Sequence, residues 1–391
     1  MQMFFRITLK YSQLADEIVN RLPEKHFISN TSTFLDPAYA GGQLLQAIAR
    51  RLAKYGHSLE NIKNRLFGYE NNAVYLNHSA NYPTAAITNL SVVRYDTFIK
   101  EDMSMKFDVI VGNPPFQDPS ATSSKKLWPD FVRTSFTMLK HDGTLAMITP
   151  ASWMSGKSDI FDLIKKHSVY IDTNVKKYFP GVGSSFSYYI LTKNRATQHA
   201  EINDIGLVNM LNLDLLPAPC TAQSMSIVQK LISKDNAVPV QTSSLMHSQR
   251  TDRVKKDQCS VYKYPNMHAS PRSDSAILWS DSPHPDSAKS KVIMYMSGKP
   301  YLIYDTGVYG VTQHSAYILV SKPDAVGLIS YFNSKLVRFI LDVTTTAAAW
   351  NIAALRQLPA VDFSRQWTDT ELYKFFGLTQ EEIDYVEANV K

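Results

Sequence analysis

Along the first half of the chain, short apolar runs rich in β-branched residues alternate with apolar positions at helical spacing. Thr33 to Asp36 is a brief apolar run ending in Asp-Pro, and Leu44, Leu45, Ile48 and Leu52 follow on one helical face. Arg65 to Tyr69 predicts a strand ending at Glu70, Ser91 to Tyr95 one ending at Asp96, and Phe107 to Val111 one ending at Asn113. Leu127 to Leu139 predicts an amphipathic helix stopped by His141-Asp142-Gly143. A strand from Thr144 to Thr149, a helix from Asp159 to His167 and an aromatic-rich strand from Phe186 to Leu191 complete the series.

Strands alternating with helices predict an α/β fold with a parallel, Rossmann-like sheet and helices on both faces. The C-terminal ends of its strands share one edge, so Asp36, Glu70, Asp96 and Asn113 are expected to line one crevice. Beyond about Lys193 the texture changes. Pro217, Pro219 and Pro239 punctuate short segments, and residues 241–300 are rich in Ser, Pro, Lys and Arg. Tyr301 to Tyr304 and Ala316 to Val320 predict strands, Val326 to Leu341 a buried helix, and Trp367 onward a helical tail. The expected division is therefore 1–198 and 199–391, the second part mixed α+β.

The run Asp108-Val109-Ile110-Val111-Gly112 ends in Asn113-Pro114-Pro115-Phe116. Neither proline donates a backbone hydrogen bond and each fixes its own φ. Asn113, preceding a proline, is kept out of helical φ/ψ. The result is a stiff turn at a strand's C-terminal end, carrying an amide, backbone carbonyls and an aromatic face. The amide oxygen of Asn113 and the carbonyl of Pro114 would accept from one exocyclic NH2 group, and Phe116 would stack on the ring bearing it. Taken alone, such a turn also serves simply to end a strand, so its surroundings decide.

The first strand–helix turn is Asp36-Pro37-Ala38-Tyr39-Ala40-Gly41-Gly42. It brings backbone and a helix N-terminus close to a ligand. A phosphate would fit such a turn, but GK[ST] and GxGxxG are both missing, and an acidic first residue suits a cationic ligand better. Glu70 fits a carboxylate holding paired ribose hydroxyls. Asp96 fits an adenine amino group or a cation. Each carboxylate alone is more often merely solvated; four polar strand ends in register reverse that weighting.

Composition adds limits more than leads. The chain has 391 residues and an ordinary apolar fraction of 44%. No apolar run approaches the ~18 residues of a membrane span, and Met1 to Arg6 does not read as a signal peptide. With only Cys220 and Cys259, a disulfide framework is excluded and a reducing cytoplasm is expected. The histidines have no ligand spacing, so no metal is assigned. The net charge is +6, with nine Lys/Arg against five Asp from Arg250 to Lys299, and three Lys/Arg against seven Asp/Glu from Val361 to Lys391. On charge alone, a solvated surface and a nucleic-acid patch are equally good readings of the basic stretch.

This order of motifs resembles the S-adenosylmethionine-dependent adenine-N6 DNA methyltransferases of restriction–modification systems, in the gamma group. There the cofactor motif comes first, NPPF/Y next and the target recognition domain last. Asp36 to Gly42 resembles the family's DPACGSG, Phe67-Gly68-Tyr69-Glu70 its second motif, Tyr95-Asp96 its third and Asn113 to Phe116 its fourth. Gly143 to Pro150 resembles the strand and turn that follow, and Tyr178-Phe179-Pro180 the later aromatic position. Weaker likenesses to recognition domains occur at Tyr331 to Lys335, Leu358-Pro359 and Phe376 to Ile383.

The resemblance implies a Rossmann-like methyltransferase domain over 1–198 and a DNA target recognition domain over 199–391. It implies S-adenosyl-L-methionine as cofactor, held by Asp36, Ala38, Gly41, Gly42, Glu70 and Asp96. Asn113, Pro114, Pro115 and Phe116 would form the catalytic turn, with Phe116 and Phe179 stacking on the two faces of a flipped-out adenine. Arg250, Arg253, Lys255, Lys256 and Arg272 are candidates for double-stranded DNA. A separate cognate restriction endonuclease, a bacterial or phage cytoplasm, and a monomer or dimer are further expectations.

Two departures from the pattern stand out. Tyr39 and Ala40 replace small Cys and Gly; if position 40 requires positive φ, its Ala costs on the order of 1 kcal/mol. Thr8-Leu9 stands where Thr-Pro is usual, at the methionine end of the cofactor site. Competing readings are methylation of RNA adenine or protein glutamine, and a DNA-binding homologue without catalysis. A fused nuclease is disfavoured because the segment before Asp36 is too short for one, and Pro285-Asp286 with Lys289 lacks a matching second pair.

Overall fold

The structure is a computed structural model describing residues 2–71, 89–100, 104–117, 126–156, 158–179, 185–194, 198–232, 236–269, 276–296, 301–345 and 350–390. Two compact units divide the chain, Met1–Asp214 and Leu215–Lys391.

In the first unit, nine strands among the described residues form one sheet: β1 Phe34–Asp36, β2 Leu66–Glu70, β3 Asn89–Val92, β4 Phe107–Gly112, β5 Leu139–Pro150, β6 Ser168–Asp172, β7 Phe186–Thr192, β8 His199–Ile202 and β9 Gly206–Asn209. Their order is β3-β2-β1-β4-β5-β7-β6-β8-β9. From β3 to β5 every pairing is parallel. β7 runs antiparallel to both β5 and β6, so the sheet is mixed at that side. Chain order reverses at β1 and β4, and Asp36 and Asn113 lie at the C-terminal ends of these adjacent strands. A ligand crevice opens at such a switch point.

The helices Gln2–Arg21 and Gln43–Lys54 share a core with Val109, Val111, Ala146 and Ile148, on one face of β4 and β5. The alternate residues Ile110, Leu145 and Met147 are equally buried, so both faces are covered, as the unbroken apolar runs require.

Several expectations change. β3 ends at Val92, and Asp96 sits in the first turn of the helix Tyr95–Lys100 instead of at a strand end. β5 begins at Leu139 and passes through His141-Asp142-Gly143, with Asp142 at φ +60°; this triplet is an irregularity within a strand, not a helix stop. The first unit runs past residue 198 because β8 pairs with β6 and carries the hairpin to β9 onto the sheet.

The second unit carries β10 Gln241–Thr242, β11 Val254–Lys255, β12 Tyr264–Met267, β13 Ile277–Ser280, β14 Lys291–Tyr295, β15 Tyr301–Asp305, β16 Gly310–Val311 and β17 Ser315–Leu319. They form two sheets, β10-β17-β14-β15 and β11-β13-β12-β16. Val326 to Leu341 is two helices, Lys322–Asn333 and Lys335–Thr344. Ser334 divides them by leaving helical φ/ψ and accepting the Val337 N–H, the role its short hydroxyl suits. Their apolar faces join Ile227, Leu231 and Leu372 in this unit's core. Cys220 is buried and Cys259 exposed, both free.

Candidate active site

At the β1/β4 switch lies a cavity of about 250 Å³ lined by Tyr11, Asp36, Ala38, Tyr39, Ala40, Gly41, Gln43, Leu44, Asn113, Tyr178 and Phe179. The loop from Asp36 to Gly42 forms its floor. Asp36, 2% exposed, accepts the Ala38 N–H at 3.0 Å. Burial, followed by the nearby Glu70 charge, raises its pKa to about 7 against the pull of the Ala38 bond. Among the described residues no cation pairs with it. A buried carboxylate in that state favours a positively charged ligand.

Ala40 has φ +44°, so the position does require the left-handed region and its Cβ is strained there. One carboxylate oxygen of Glu70 accepts the Ala40 N–H at 2.9 Å. Glu70 thus braces the loop and does not line the cavity. Gly42 has φ +71° and opens the helix Gln43–Lys54. A Cβ there would lie 2.5 Å from Tyr39 Cζ, and one at Gly68 would lie 2.9 Å from Tyr39 Cδ2. The buried Tyr39 ring occupies the room that both glycines leave. The larger residue at 39 therefore fits without filling the cavity.

Asn113 follows β4 directly. Its Oδ1 is buried and has no hydrogen-bond partner in the structure. The other end of the Asn113 amide hydrogen-bonds Tyr11; that phenol's pKa is pushed upward by burial first and then by the Asp36 charge, against the pull of the Asn113 bond. Tyr11 was not singled out from the sequence. Leu14, Ala15, Ile18, Val19 and Leu22 recur at helical spacing, and this signal marks the helix that carries it.

The aromatic residues depart from the expected sandwich. Phe116 packs on buried Phe186 at 5.2 Å, and Phe179 packs on the same ring at 4.9 Å. Only Phe179 lines the cavity. After the Pro114-Pro115 turn, Phe116 is half-buried and packs against the edge of the apolar core instead of lining the cavity. Asp96 is likewise outside the cavity, exposed and bonded to Arg94 at 3.0 Å, which holds its carboxyl below the usual range. Three of the four expected strand-end groups therefore gather at the crevice edge, and two of them, Asp36 and Asn113, face the cavity.

In the second unit, Arg250, Lys255 and Lys256 are exposed. Arg253 is half-buried; it donates to Ser282 Oγ at 2.9 Å and lies 3.7 Å from Asp281. Arg272 is outside the described residues. Asp286 of the nuclease-like fragment is bound by Lys289 and Tyr317. Among the described residues no group of three or more His, Cys, Asp or Glu is placed to hold a metal, and no helix is long and apolar enough to cross a membrane.

Fold and site together resemble those of Rossmann-like methyltransferases of restriction–modification systems. Residues 44–179, which include Asn113 to Phe116, match the family model described as Eco57I restriction-modification methylase. An uncharacterized adenine-specific methylase of Mycoplasma pneumoniae is 32% identical over 122 residues, 27% of this chain and 28% of that protein. The match spans little more than a quarter of that relative. Among solved structures, a nuclease-deletion mutant of the Type ISP restriction-modification enzyme LlaGI, bound to a DNA substrate mimic, has a TM-score of 0.54 at 11% identity. That likeness covers 90% of this chain and 52% of the other. The Type IIL enzyme MmeI, in complex with DNA, has a TM-score of 0.49 at 10% identity over 90% of this chain and 65% of its own.

Proposed function

We propose that this protein is a site-specific DNA methyltransferase that uses S-adenosyl-L-methionine to methylate adenine N6 in double-stranded DNA. The observation that carries the reading is the buried, unpartnered Oδ1 of Asn113, held by a stiff Pro-Pro turn beside a cavity that Asp36 also lines. An acceptor without a donor is costly in the interior, and an exocyclic NH2 group answers it. Buried Asp36, with no cation paired to it among the described residues, suits the positive charge of the cofactor. Asp36, Ala38, Gly41 and the N-terminal end of the helix Gln43–Lys54 would hold that molecule. Bound there, the cofactor supplies an electrophilic methyl group.

The chain's own part is orientation and charge placement. The lone pair of an adenine amino group is delocalised into the ring. Asn113 Oδ1 and the Pro114 carbonyl accept its two N–H groups, draw the nitrogen toward tetrahedral geometry and so expose that pair. Phe179 offers a face to a base taken out of the helix. Such a site needs no nucleophilic side chain. Arg250, Lys255 and Lys256 are the candidates for the phosphate backbone.

Asn113→Ala is the test. Methyl transfer from labelled S-adenosyl-L-methionine to unmethylated DNA should fall by about a hundred- to a thousandfold, the scale of losing one preorganised hydrogen-bonding group. Affinity for S-adenosylhomocysteine by calorimetry should change less than about threefold, about 0.6 kcal/mol. Parental turnover by this variant sinks the assignment. Methylation-sensitive sequencing of DNA from expressing cells then reports the modified base and its context.

A further inference from the structure

The helix Gln2–Arg21 gives Tyr11 to the cavity and, further along, presents Glu17 to the sheet. Both oxygens of Glu17 are used. Oε2 accepts from the Tyr178 hydroxyl at 2.6 Å, and Oε1 from the Tyr188 hydroxyl at 2.8 Å. Tyr188 is fully buried in β7 and packs on Tyr170 at 5.6 Å. Arg21, on the same helix as Glu17, covers Tyr170 at 3.8 Å. Tyr178 ends the helical turn Val175–Tyr178, and Phe179 follows it.

One carboxylate therefore joins the first helix, a core strand and the segment bearing Phe179. Tyr11 and Phe179 meet edge to face at 6.1 Å, so the tie also sets the contact between two cavity walls. Hydrogen bonds to a charged acceptor are the stronger kind, and a carboxylate fixed by two of them has little freedom left.

We propose that Glu17 is a positioning residue for the transfer: by holding Tyr178 it fixes Phe179 at the cavity, so that a base seated on that ring presents its amino group to Asn113. The inference rests on the adenine-methylating reading. Its distinguishing variant is Tyr178→Phe, which keeps the ring and removes only the hydroxyl that Glu17 holds.

Tyr178→Phe should lower kcat about tenfold, with S-adenosylhomocysteine affinity within about twofold and the melting temperature within a few degrees. Glu17→Ala should show the same kcat loss, and Glu17→Gln, which keeps one acceptor and gains a donor, should recover part of it. A second readout needs no turnover. In protein carrying 4-fluorophenylalanine, the Phe179 fluorine resonance, assigned by its loss in Phe179→Leu, should shift or broaden in Tyr178→Phe. An unchanged resonance, or parental kcat and KM, overturns the proposal. So does a rate loss matched by an equal loss of cofactor affinity, which would mark a merely structural tie. If the parent protein transfers no methyl group while the resonance still moves, the function is misread and the tether stands.

Discussion

Asp36 and Asn113 are both buried polar groups left incompletely answered, and they differ in what they cost. The Asp36 carboxyl, raised to about 7 mainly by burial, favours its neutral form in the folded chain. Below about pH 4, the range of an unfolded aspartate, both states keep the proton and the group contributes nothing. Between about 4 and about 7 the unfolded chain releases its proton while the folded site retains it. Stability therefore falls with rising pH across that window and levels off above it. Asp36→Asn keeps an oxygen for the Ala38 N–H and cannot ionise. It should be more stable than the parent at pH 8 by up to about 4 kcal/mol, with the gap closing toward pH 4, as thermal melts across pH would show. The same variant should bind S-adenosylhomocysteine at least tenfold more weakly, the scale of one charge-assisted bond. Equal melting curves at every pH would mean that Asp36 is ionised in the empty site.

At the scale of the element, the loop from Asp36 to Gly42 combines two left-handed residues, only one of which is glycine. Ala40→Gly should stabilise by about 1 kcal/mol in chemical denaturation, since Ala is strained there and Gly is not. Gly42→Ala should destabilise by 2 kcal/mol or more, on the order expected for left-handed strain plus a clash with the Tyr39 ring. Adding Tyr39→Ala should relieve the clash and leave the strain. The sequence foretold this loop's strain at Ala40, because a motif position needing positive φ is visible wherever glycine is usual. Tyr39 was legible only as a departure; that it packs on Gly42 and Gly68 depends on β2 lying beside β1, which no local pattern encodes. Asp96 was misplaced for a related reason. A β-branched run gives a strand's existence more firmly than its end, and β3 stops before Tyr95. Ser334 was missed: Val326 to Leu341 reads as one buried helix by its apolar pattern, whereas the short hydroxyl in its midst caps a second helix and breaks the run.

Across the whole molecule, alternating strands and helices made the first unit's sheet legible as far as β5 and β7, whereas the hairpin β8–β9 rests on pairing with β6, a long-range contact. The second unit was less legible, since strands as short as β10, β11 and β16 leave no period to read. Its basic residues separate once partners are known. Arg253 is engaged by Ser282 and Asp281, while Arg250, Lys255 and Lys256 are exposed. Replacing these three with Ala should weaken DNA binding at every sequence and reduce the slope of log affinity against log salt by about 0.9 for each phosphate that is no longer neutralised. Arg253→Ala should instead lower the melting temperature of the protein. A triple variant with an unaltered salt slope would place the DNA surface elsewhere.

The orphaned oxygen of Asn113 also bears on what happens after the chemistry. An unmodified amino group carries two N–H bonds, one for each acceptor of the turn, whereas its methylated product carries one. Once the methyl group is attached, one acceptor must lose its donor. On the proposed reading, the site's hold on the base weakens by about one hydrogen bond, on the order of 1 kcal/mol, at the moment the reaction ends. Release of the modified strand is thereby favoured, and a second methylation of the same nitrogen is discouraged by the valence that made the first one possible.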